Sequence, residues 1–327
     1  MRRAVVAVAW AALAVACGRA GGDGAAGDVR RISIATGGTG GVYYVLGGAL
    51  ARVLSRDVPR LEATAEVTSA SVENLNFVAQ RSADVAFTLA DSAFDAVRGR
   101  GRFARPLPLR TLAALYPNVT HIVASAGGPV RTVEDLRGRR VSTGSPNSGT
   151  ELIAERVLRA AGVDPRQDLT RERLGFGESV AALRDGRIDA FFASAGMPAA
   201  AVLDAASSPG ARVLLLSDAH LVDRLVAEHG PLYAVATIPE GAYPGLAAAQ
   251  VSSVRNLLVV REDMPADLAY EITRALFEKK DELAAAHPAA RELDARTGAE
   301  SAVMEYHPGA ARYYEEVGVW KSRKPRP

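Results

Sequence analysis

Two glycine-rich loops are the segments of this 327-residue chain best suited to chemistry, at residues 37–41 and 144–149. Each follows a short apolar stretch typical of a buried strand and precedes a stretch with helical periodicity. Glycine lets the backbone turn tightly and approach a ligand closely. The free N–H groups at a helix start favour a carboxylate or a phosphate. The loops therefore predict an anion-binding site, and helix capping without any ligand is the alternative interpretation.

The side chains around these loops are polar and uncharged. The second loop carries four that can hydrogen-bond a polar ligand: Ser145, Asn147, Ser148 and Thr150. Tyr43 and Tyr44 follow the first loop, and we expect one of the two phenols to face the site, because a helix turns about 100° per residue. The first loop lacks the third glycine of a dinucleotide-binding fingerprint.

Most catalytic signatures are missing from the sequence. There is no Gly-Lys dipeptide, and hence no Walker A loop, and no Ser-x-x-Lys, Gly-x-Ser-x-Gly or His-Glu-x-x-His. The single cysteine, Cys17, excludes a disulfide framework, a Cys-rich zinc site and an iron–sulfur cluster. The five histidines show no metal-ligand spacing. We therefore expect a protein that is not an enzyme and that binds neither a cofactor nor a metal.

The charge balance argues against nucleic acid as a partner. Lys and Arg number 39 against 37 Asp and Glu, and 48% of the residues are hydrophobic, enough for a sizeable core. Glu151 and Glu155 lie four residues apart on a predicted helix with Arg156 and Arg159 beside them. We interpret these four as a solvated face. An arginine that clamps a ligand carboxylate is left open, since none stands beside either loop.

The N-terminal residues resemble a targeting signal. Residues 1–17 place two arginines before an apolar run that is too short to span a bilayer and fits a secretory signal. The small residues before Cys17 resemble the lipobox of bacterial lipoproteins, although Ala14 stands where a larger residue is usual. We expect Cys17 to be lipidated; an ordinary signal peptide is the alternative. Residues 18–28 predict a flexible tether, and residues 321–327 a frayed basic tail.

Two sequence echoes predict a pair of similar α/β units. An offset of 107 residues separates Gly37 from Gly144, the starts of the two loops. An offset of 108 separates Ser71-Val72-x-x-Leu75 from Ser179-Val180-x-x-Leu183, and each of these opens a helix that leads to a strand. Strand–loop–helix order favours mostly parallel sheets, which bind ligands beyond the carboxyl ends of their strands. Two such edges would face one cleft.

The expected lobes are interleaved along the chain. We assign residues 29–120 together with 255–320 to lobe I, and residues 121–254 to lobe II. The apolar, β-rich segments 112–124 and 254–260 are the expected hinge strands that cross between the two sheets. Such a pair of crossings allows two lobes to close around a ligand.

The residues around both loops resemble one family. The run ISIATGGTGGVYYVLGGALARVL, with Asp-Leu-x-Gly-x-x-Val at 135–141 and Gly-Ser-x-x-Ser-Gly-Thr at 144–150, is similar to the TAXI family over about residues 30–320. TAXI proteins are extracytoplasmic solute receptors of tripartite ATP-independent periplasmic (TRAP) transporters. The resemblance implies a two-lobed type II periplasmic-binding-protein fold at the periplasmic or extracytoplasmic face of a bacterial membrane, working with TRAP permease subunits.

The resemblance also implies the ligand and the positions that hold it. The ligand class is a small organic anion or amino acid, with glutamate-like compounds leading. The implied binding residues of the first lobe are Thr36, Gly37, Thr39, Gly40, Tyr43, Ser69, Ser71, Asn74 and Ala90. Those of the second are Ser142, Gly144, Ser145, Asn147, Ser148, Gly149, Thr150, Ala193 and Gly196. A binding module that feeds a sensor kinase and a secreted enzyme are the alternative functions.

Overall fold

The computed structural model describes residues 29–208, 212–300 and 303–320. The predicted signal peptide, Cys17, the tether and the basic tail lie outside these residues. Within them, no helix combines the length and the apolar character that crossing a membrane requires. The described chain forms an α/β structure in which every strand belongs to one mixed sheet.

Three parallel strands form one end of the sheet in the order β2–β1–β3. The strands are β1 (Arg30–Ala35), β2 (Leu61–Glu66) and β3 (Val85–Leu89). The helices that follow them are α1 (Val42–Asp57), α2 (Ser71–Ala79) and α3 (Ala90–Ala96). Both α1 and α2 start where the glycine and serine signals of the sequence predict them.

The other end of the sheet repeats this arrangement in the order β7–β5–β6. Its strands are β5 (Arg140–Ser142), β6 (Thr170–Glu172) and β7 (Ala190–Ala195), and its helices are α4 (Gly149–Ala160), α5 (Phe176–Arg184) and α6 (Ala200–Ser207). The Asp84 carboxylate accepts the Ser33 N–H of β1 at 2.9 Å, and the Asp189 carboxylate accepts the Arg140 N–H of β5 at 2.9 Å. The sequence echo therefore extends to equivalent hydrogen bonds.

Two long antiparallel strands join the two ends. They are β4 (Leu109–Ser125) and β10 (Ala249–Arg261). Residues 256–260 of β10 pair with β3, while residues 249–254 pair with β9 (Tyr233–Ile238). Residues 109–119 of β4 pair with β10, and residues 119–124 pair with β7. The predicted crossing segments thus lie inside strands shared by both ends, and the two parallel sheets are continuous through them.

The remaining elements complete the two ends. They are β8 (Val213–Leu215), α7 (Val222–His229), α8 (Ala266–Glu278), α9 (Lys280–Ala286), α10 (Ala295–Gly298) and α11 (Pro308–Glu316). Ile34 of β1, Leu50 of α1, Ile272 of α8 and Tyr314 of α11 are buried in one core, so the C-terminal helices pack on the first end. The residue limits of the lobes stay a prediction, because both fall within continuous strands.

The charged face of α4 corrects one interpretation. Glu151, Glu155 and Arg156 are 1%, 5% and 6% exposed, so they are not solvated. Arg171 donates to both glutamates at 2.8 Å, and Arg156 pairs with carboxylates of α3. Local sequence hides this burial because the partners come from other segments. Only Arg159 among the four fits a solvated face, with a side chain 48% exposed.

Candidate ligand-binding cleft

A cavity of about 70 Å³ lies between the two ends of the sheet, beyond the carboxyl ends of the parallel strands. Nine of its lining residues come from the β1–β3 end: Gly37, Gly38, Gly41, Val42, Tyr43, Ser69, Ala70, Ser71 and Leu89. The other nine come from β4 and the β5–β7 end: Asn118, Ser145, Ser148, Gly149, Thr150, Gly175, Phe176, Ser194 and Ala195. Both glycine-rich loops therefore contribute to one cavity.

Four helices begin at this cavity. The residues that precede their first turns are Gly41 for α1, Ala70 for α2, Ser148 for α4 and Gly175 for α5, and all four line it. A helix start carries free N–H groups and a partial positive charge. No charged side chain lines the cavity within the described ranges. The partial positive charge at the lining therefore comes from the helix backbone, which suits a bound anion, while the first-turn carboxylates Glu73, Glu151 and Glu178 lie outside the lining.

The turn before α2 is held in an uncommon conformation. Ala70 has φ = 81°, a region that costs energy for a residue with a side chain. The Thr68 hydroxyl accepts the Ala70 N–H at 3.0 Å, and the Glu73 carboxylate accepts the Ser69 N–H at 2.6 Å. These side-chain bonds fix the turn and place Ser69 and Ser71 on the wall of the cavity.

Three cavity hydroxyls already accept a backbone N–H. Ser71 Oγ accepts from Leu89 at 3.1 Å, Ser148 Oγ from Glu151 at 3.0 Å, and Thr150 Oγ1 from Ser194 at 3.2 Å. These bonds tie the starts of α2 and α4 to neighbouring strand ends or to the first turn of the helix. They also fix where each hydroxyl oxygen lies relative to the cavity.

Tyr43, not Tyr44, is the phenol at the cavity. Tyr43 is buried and stacks on Phe87 with ring centroids 5.2 Å apart, whereas Tyr44 is 37% exposed. The Tyr43 hydroxyl donates to Asn256 Oδ1. Burial raises the pKa of Tyr43 well above its usual value, against a smaller opposing effect of the Ser71 hydroxyl. Tyr43 therefore stays a neutral hydrogen-bond donor at physiological pH.

A chain of buried amides continues from Tyr43 into the second end. Asn256 Nδ2 on β10 donates to Asn118 Oδ1 on β4 at 2.7 Å. Asn118 Nδ2 in turn donates to the Ser194 carbonyl on β7 at 3.1 Å. These hydrogen bonds run across both long strands and connect the two walls of the cavity, with a partner for each amide.

A family model matches residues 34–318, almost the whole described chain, and its description is the NMT1-like family. The chain belongs to the NMT1-like family. This match supports a periplasmic solute-binding protein and does not reach the narrower TAXI assignment.

Solved structures of low identity share the fold of this NMT1-like chain. A protein from Bordetella bronchiseptica RB50 matches with a TM-score of 0.53 and 18% identity, over 89% of this chain and 90% of that one. PhnD1 from Prochlorococcus marinus MIT 9301, in complex with methylphosphonate, matches with a TM-score of 0.52 and 10% identity, over 81% and 91%. A putative L-cystine ABC transporter from Listeria monocytogenes matches with a TM-score of 0.50 and 13% identity, over 81% and 99%. The predicted α/β, two-lobed type II periplasmic-binding-protein fold is confirmed.

Eight of the predicted binding residues line the cavity. They are Gly37, Tyr43, Ser69, Ser71, Ser145, Ser148, Gly149 and Thr150. Six of them belong to the two glycine-rich loops or to the helix turns that follow, and Ser69 and Ser71 belong to the start of α2 that the resemblance implied.

The other ten predicted residues lie outside the lining: Thr36, Thr39, Gly40, Asn74, Ala90, Ser142, Gly144, Asn147, Ala193 and Gly196. Several of their side chains are bound to protein groups instead. Thr36 Oγ1 donates to the Glu66 carbonyl at 2.6 Å, and Asn74 Nδ2 donates to the Thr36 carbonyl at 2.7 Å. Ser142 and Ser179 share a hydroxyl hydrogen bond of 2.8 Å. These groups hold strand ends in place behind the cavity.

Four more residues of this set lie outside the lining for other reasons. Thr39 is exposed, and Gly144 makes the turn with φ = 97°. Ala90 borders a different cavity, on the side of Tyr233. At Gly196 an added Cβ would lie 2.8 Å from Cε2 of Tyr116, so that glycine is required by packing.

Ten lining residues are not among the predicted binding residues, and Asn118, Phe176 and Ser194 are three of them. Asn118 is a polar residue in an otherwise apolar strand segment, which was an available signal. Phe176 opens α5, the helix that the echo pairs with α2, so its position was implied by Ser69 and Ser71.

Proposed function

We propose that this NMT1-like protein is an extracytoplasmic receptor of the TAXI type, which captures a small organic anion or amino acid and delivers it to TRAP permease subunits. The observation that carries the proposal is the meeting of four helix starts and a set of hydroxyl groups at one cavity. Such a lining recognises an anion without any catalytic group. The motifs at residues 37–48 and 135–150 support the TAXI type.

The two walls touch around the cavity, which supports capture by closure. The Glu73 N–H donates to the Asn147 carbonyl at 3.2 Å, from α2 to the loop before α4. An added Cβ at Gly41 would lie 3.4 Å from Cε2 of Phe176, so the first loop rests on the start of α5. A ligand between the walls stabilises this closed state in proportion to its preference for it. The proposal includes a lipid anchor at Cys17 that holds the receptor at the membrane.

Thermal unfolding with candidate anions tests the receptor function. A ligand at roughly 100 times its dissociation constant stabilises by about 2.7 kcal/mol. That corresponds to a rise of several degrees in Tm, at about 2–4 °C per kcal/mol. Glutarate, 2-oxoglutarate, L-glutamate, succinate and methylphosphonate form the first panel. If none of these or related anions and amino acids raises Tm, the ligand class is wrong.

A charge change at Ser148 tests whether the cavity is the site. Ser148→Asp keeps a good N-cap for α4 but puts a carboxylate where the anion would lie, so the rise in Tm should vanish. Ser148→Asn is the matched control: it caps equally well, carries no charge and should keep most of the rise. Equal binding by the two variants would place the ligand elsewhere.

Uptake measurements separate the permease types. Cells that lack the gene should lose uptake of the compound that binds. In cells that carry it, uptake should stop when the ion gradient is collapsed at constant ATP, because a TRAP permease is driven by that gradient. Uptake that follows ATP instead would assign the receptor to an ABC-type transporter.

A further inference from the structure

The hydroxyls at the cavity are prepared to donate hydrogen bonds. A hydroxyl has two lone pairs and one hydrogen. In Ser71, Ser148 and Thr150 a backbone N–H occupies one lone pair, at 3.1, 3.0 and 3.2 Å respectively. The hydrogen of each hydroxyl must then point away from that N–H. The Ser71 hydroxyl hydrogen-bonds the Tyr43 hydroxyl and so opposes the rise in pKa that burial causes in that phenol, whereas the described side-chain bonds of Ser148 and Thr150 include no protein acceptor for their hydrogens. Two oriented donors, Ser148 and Thr150, are therefore available to a ligand.

A further hydroxyl of the lining has no partner in the described structure. Ser194 is 8% exposed, lines the cavity, and its Oγ is buried without a hydrogen bond. A buried hydroxyl that is left unpaired destabilises a protein, so a ligand atom is its expected partner. This observation is independent of the helix starts and points to the same place.

Two acceptor oxygens at the lining already accept a hydrogen bond from the protein. Asn118 Oδ1 accepts from Asn256, and the Ser194 carbonyl accepts from Asn118. The nearby carboxylates are bound to protein as well. Glu178 accepts the Gly175 N–H at 2.8 Å, and Glu151 is paired with Arg171 at 2.8 Å. Neither of these carboxylates lines the cavity.

The lining thus offers donors and helix starts but no carboxylate, since Glu73, Glu151 and Glu178 of the first turns lie outside it. An ammonium group that entered would lose its water without gaining a carboxylate, which is strongly unfavourable. An oxyanion meets the opposite situation, since the hydroxyl donors and the helix starts of the lining favour it. Val42, Leu89 and Phe176 add an apolar part of the wall that suits a short hydrocarbon segment.

We infer that the cleft selects small organic oxyanions that carry no ammonium group, and that it rejects the corresponding amino acids. This inference rests on the proposed receptor function and narrows its ligand class. It differs from the glutamate-like ligand that the family resemblance implies. Glutarate and L-glutamate have the same carbon chain and the same two carboxylates, and the cleft should bind the one that lacks the amino group.

Matched pairs of compounds test the inference by isothermal titration. The pairs are glutarate with L-glutamate, ethanesulfonate with taurine, and butanoate with 4-aminobutanoate; within each pair only the amino group differs. We expect at least one unaminated compound to bind, and its aminated partner to bind at least about tenfold more weakly. Equal or tighter binding of an aminated partner overturns the inference and leaves the receptor function intact. If no compound of either kind binds, the ligand class of the proposed function fails, and the inference fails with it.

Introducing a carboxylate into the cleft is a second test of the inference. Ser145→Asp adds a negative charge at a partly exposed lining residue, so the affinity ratio of L-glutamate to glutarate should rise by about tenfold or more. Ser82→Asp makes the same change on an exposed turn between α2 and β3 and should leave the ratio unchanged. Ser69→Asp repeats the test from the opposite wall in case Ser145→Asp does not fold. A ratio that stays constant in a folded lining variant overturns the inference.

Discussion

The guanidinium of Arg156 lies between segments from three parts of the chain. It donates to Asp91 of α3 at 2.9 Å, to Asp95 of α3 at 2.6 Å and to the Tyr233 hydroxyl of β9 at 2.8 Å. Burial raises the pKa of Asp95 in spite of the facing guanidinium. Burial by itself lowers the pKa of Arg156, but Asp91, Tyr233 and Asp95 outweigh it and the pKa is raised. This ion cluster therefore joins segments that the sequence assigns to different lobes.

Removing the cation should be costly, because it leaves two carboxylates in a buried site. We expect Arg156→Leu to lower the free energy of unfolding by about 3–5 kcal/mol. Arg159→Leu is the control on the same helix: its side chain is 48% exposed and pairs with Glu155 one turn away, so the loss should stay below about 1 kcal/mol. Urea denaturation measures both. Equal losses would contradict the role given to the cluster.

At the scale of elements, His121 ties β4 to its neighbours. Its Nδ1 donates to the Ala193 carbonyl of β7 at 3.0 Å, and its Nε2 accepts from the Tyr243 hydroxyl at 2.7 Å. That hydroxyl in turn accepts the Ala199 N–H at 2.9 Å, just before α6. Burial lowers the pKa of His121 from 6.5 to about 4, so the folded protein holds a neutral imidazole.

The lowered pKa of His121 predicts a pH-dependent contribution to stability. The unfolded chain takes up a proton near pH 6.5 and the folded chain only near pH 4, so acidification between these values favours unfolding. The stability that His121 provides is complete above pH 6.5 and is lost as the pH falls to about 4. Compared with His121→Gln, the wild-type advantage should shrink by on the order of 3 kcal/mol over this window.

Urea denaturation of both proteins at a series of pH values gives this difference directly. Other titrating groups, including Asp218, whose pKa burial raises to about 6, affect both proteins alike and cancel in the comparison. A gap between the two proteins that is constant from pH 7 to pH 4 would show that His121 does not titrate as described.

The sequence predicted those elements whose signals are local. The starts of α1 and α4 follow glycine-rich loops, and the hinge strands β4 and β10 are long apolar segments, so short windows of sequence identify them. The burial of Arg156 was not predictable in this way, because Asp91 lies 65 residues away. Asn118 and Phe176 leave only weak signals in the sequence, and the assembled cleft is what shows that both side chains line it.

Local sequence also fails to show which side chains of a segment face the cavity, and this explains why some predicted residues lie behind it. Motif similarity marks a whole strand-to-helix segment, whereas only the residues on one side of the turn face the ligand. Thr36 and Asn74 belong to such segments, but their side chains donate hydrogen bonds to backbone carbonyls at the strand ends. A sequence match therefore locates the loops of a site more reliably than it selects among their side chains.

At the scale of the whole molecule, the closed cleft depends on a missing side chain. An added Cβ at Gly149 would lie 2.5 Å from Ser71 Oγ and 2.6 Å from Leu89 Cδ1, across the cleft from α4. Gly149 has no positive φ, so alanine fits the helix itself. The glycine is therefore required by the approach of the two walls and not by the backbone of α4.

Gly149→Ala should hold the two walls apart. We expect its unliganded stability to be unchanged or slightly higher, since alanine is a better helix former than glycine. Its affinity for the best oxyanion of the panel should fall by about tenfold or more, because ligand binding must then work against the clash. Gly177→Ala is the control, because an added Cβ there meets nothing within 4 Å.

Small-angle scattering distinguishes a failure to close from a lost contact. Saturating oxyanion should reduce the radius of gyration of wild type and Gly177→Ala, and should leave that of Gly149→Ala larger. If Gly149→Ala contracts as far as wild type, the glycine does not control closure.

The central position of β10 affects how the protein is made. Synthesis produces β3 and β4 well before β10, which lies between them in the finished sheet. Until residues 249–261 emerge, both neighbours expose unpaired N–H and C=O groups on strands rich in buried apolar side chains. Such edges pair readily with other nascent chains and aggregate. The growing polypeptide therefore needs protection at these two edges until its last strand is inserted, and a chain cut short before β10 should aggregate instead of folding.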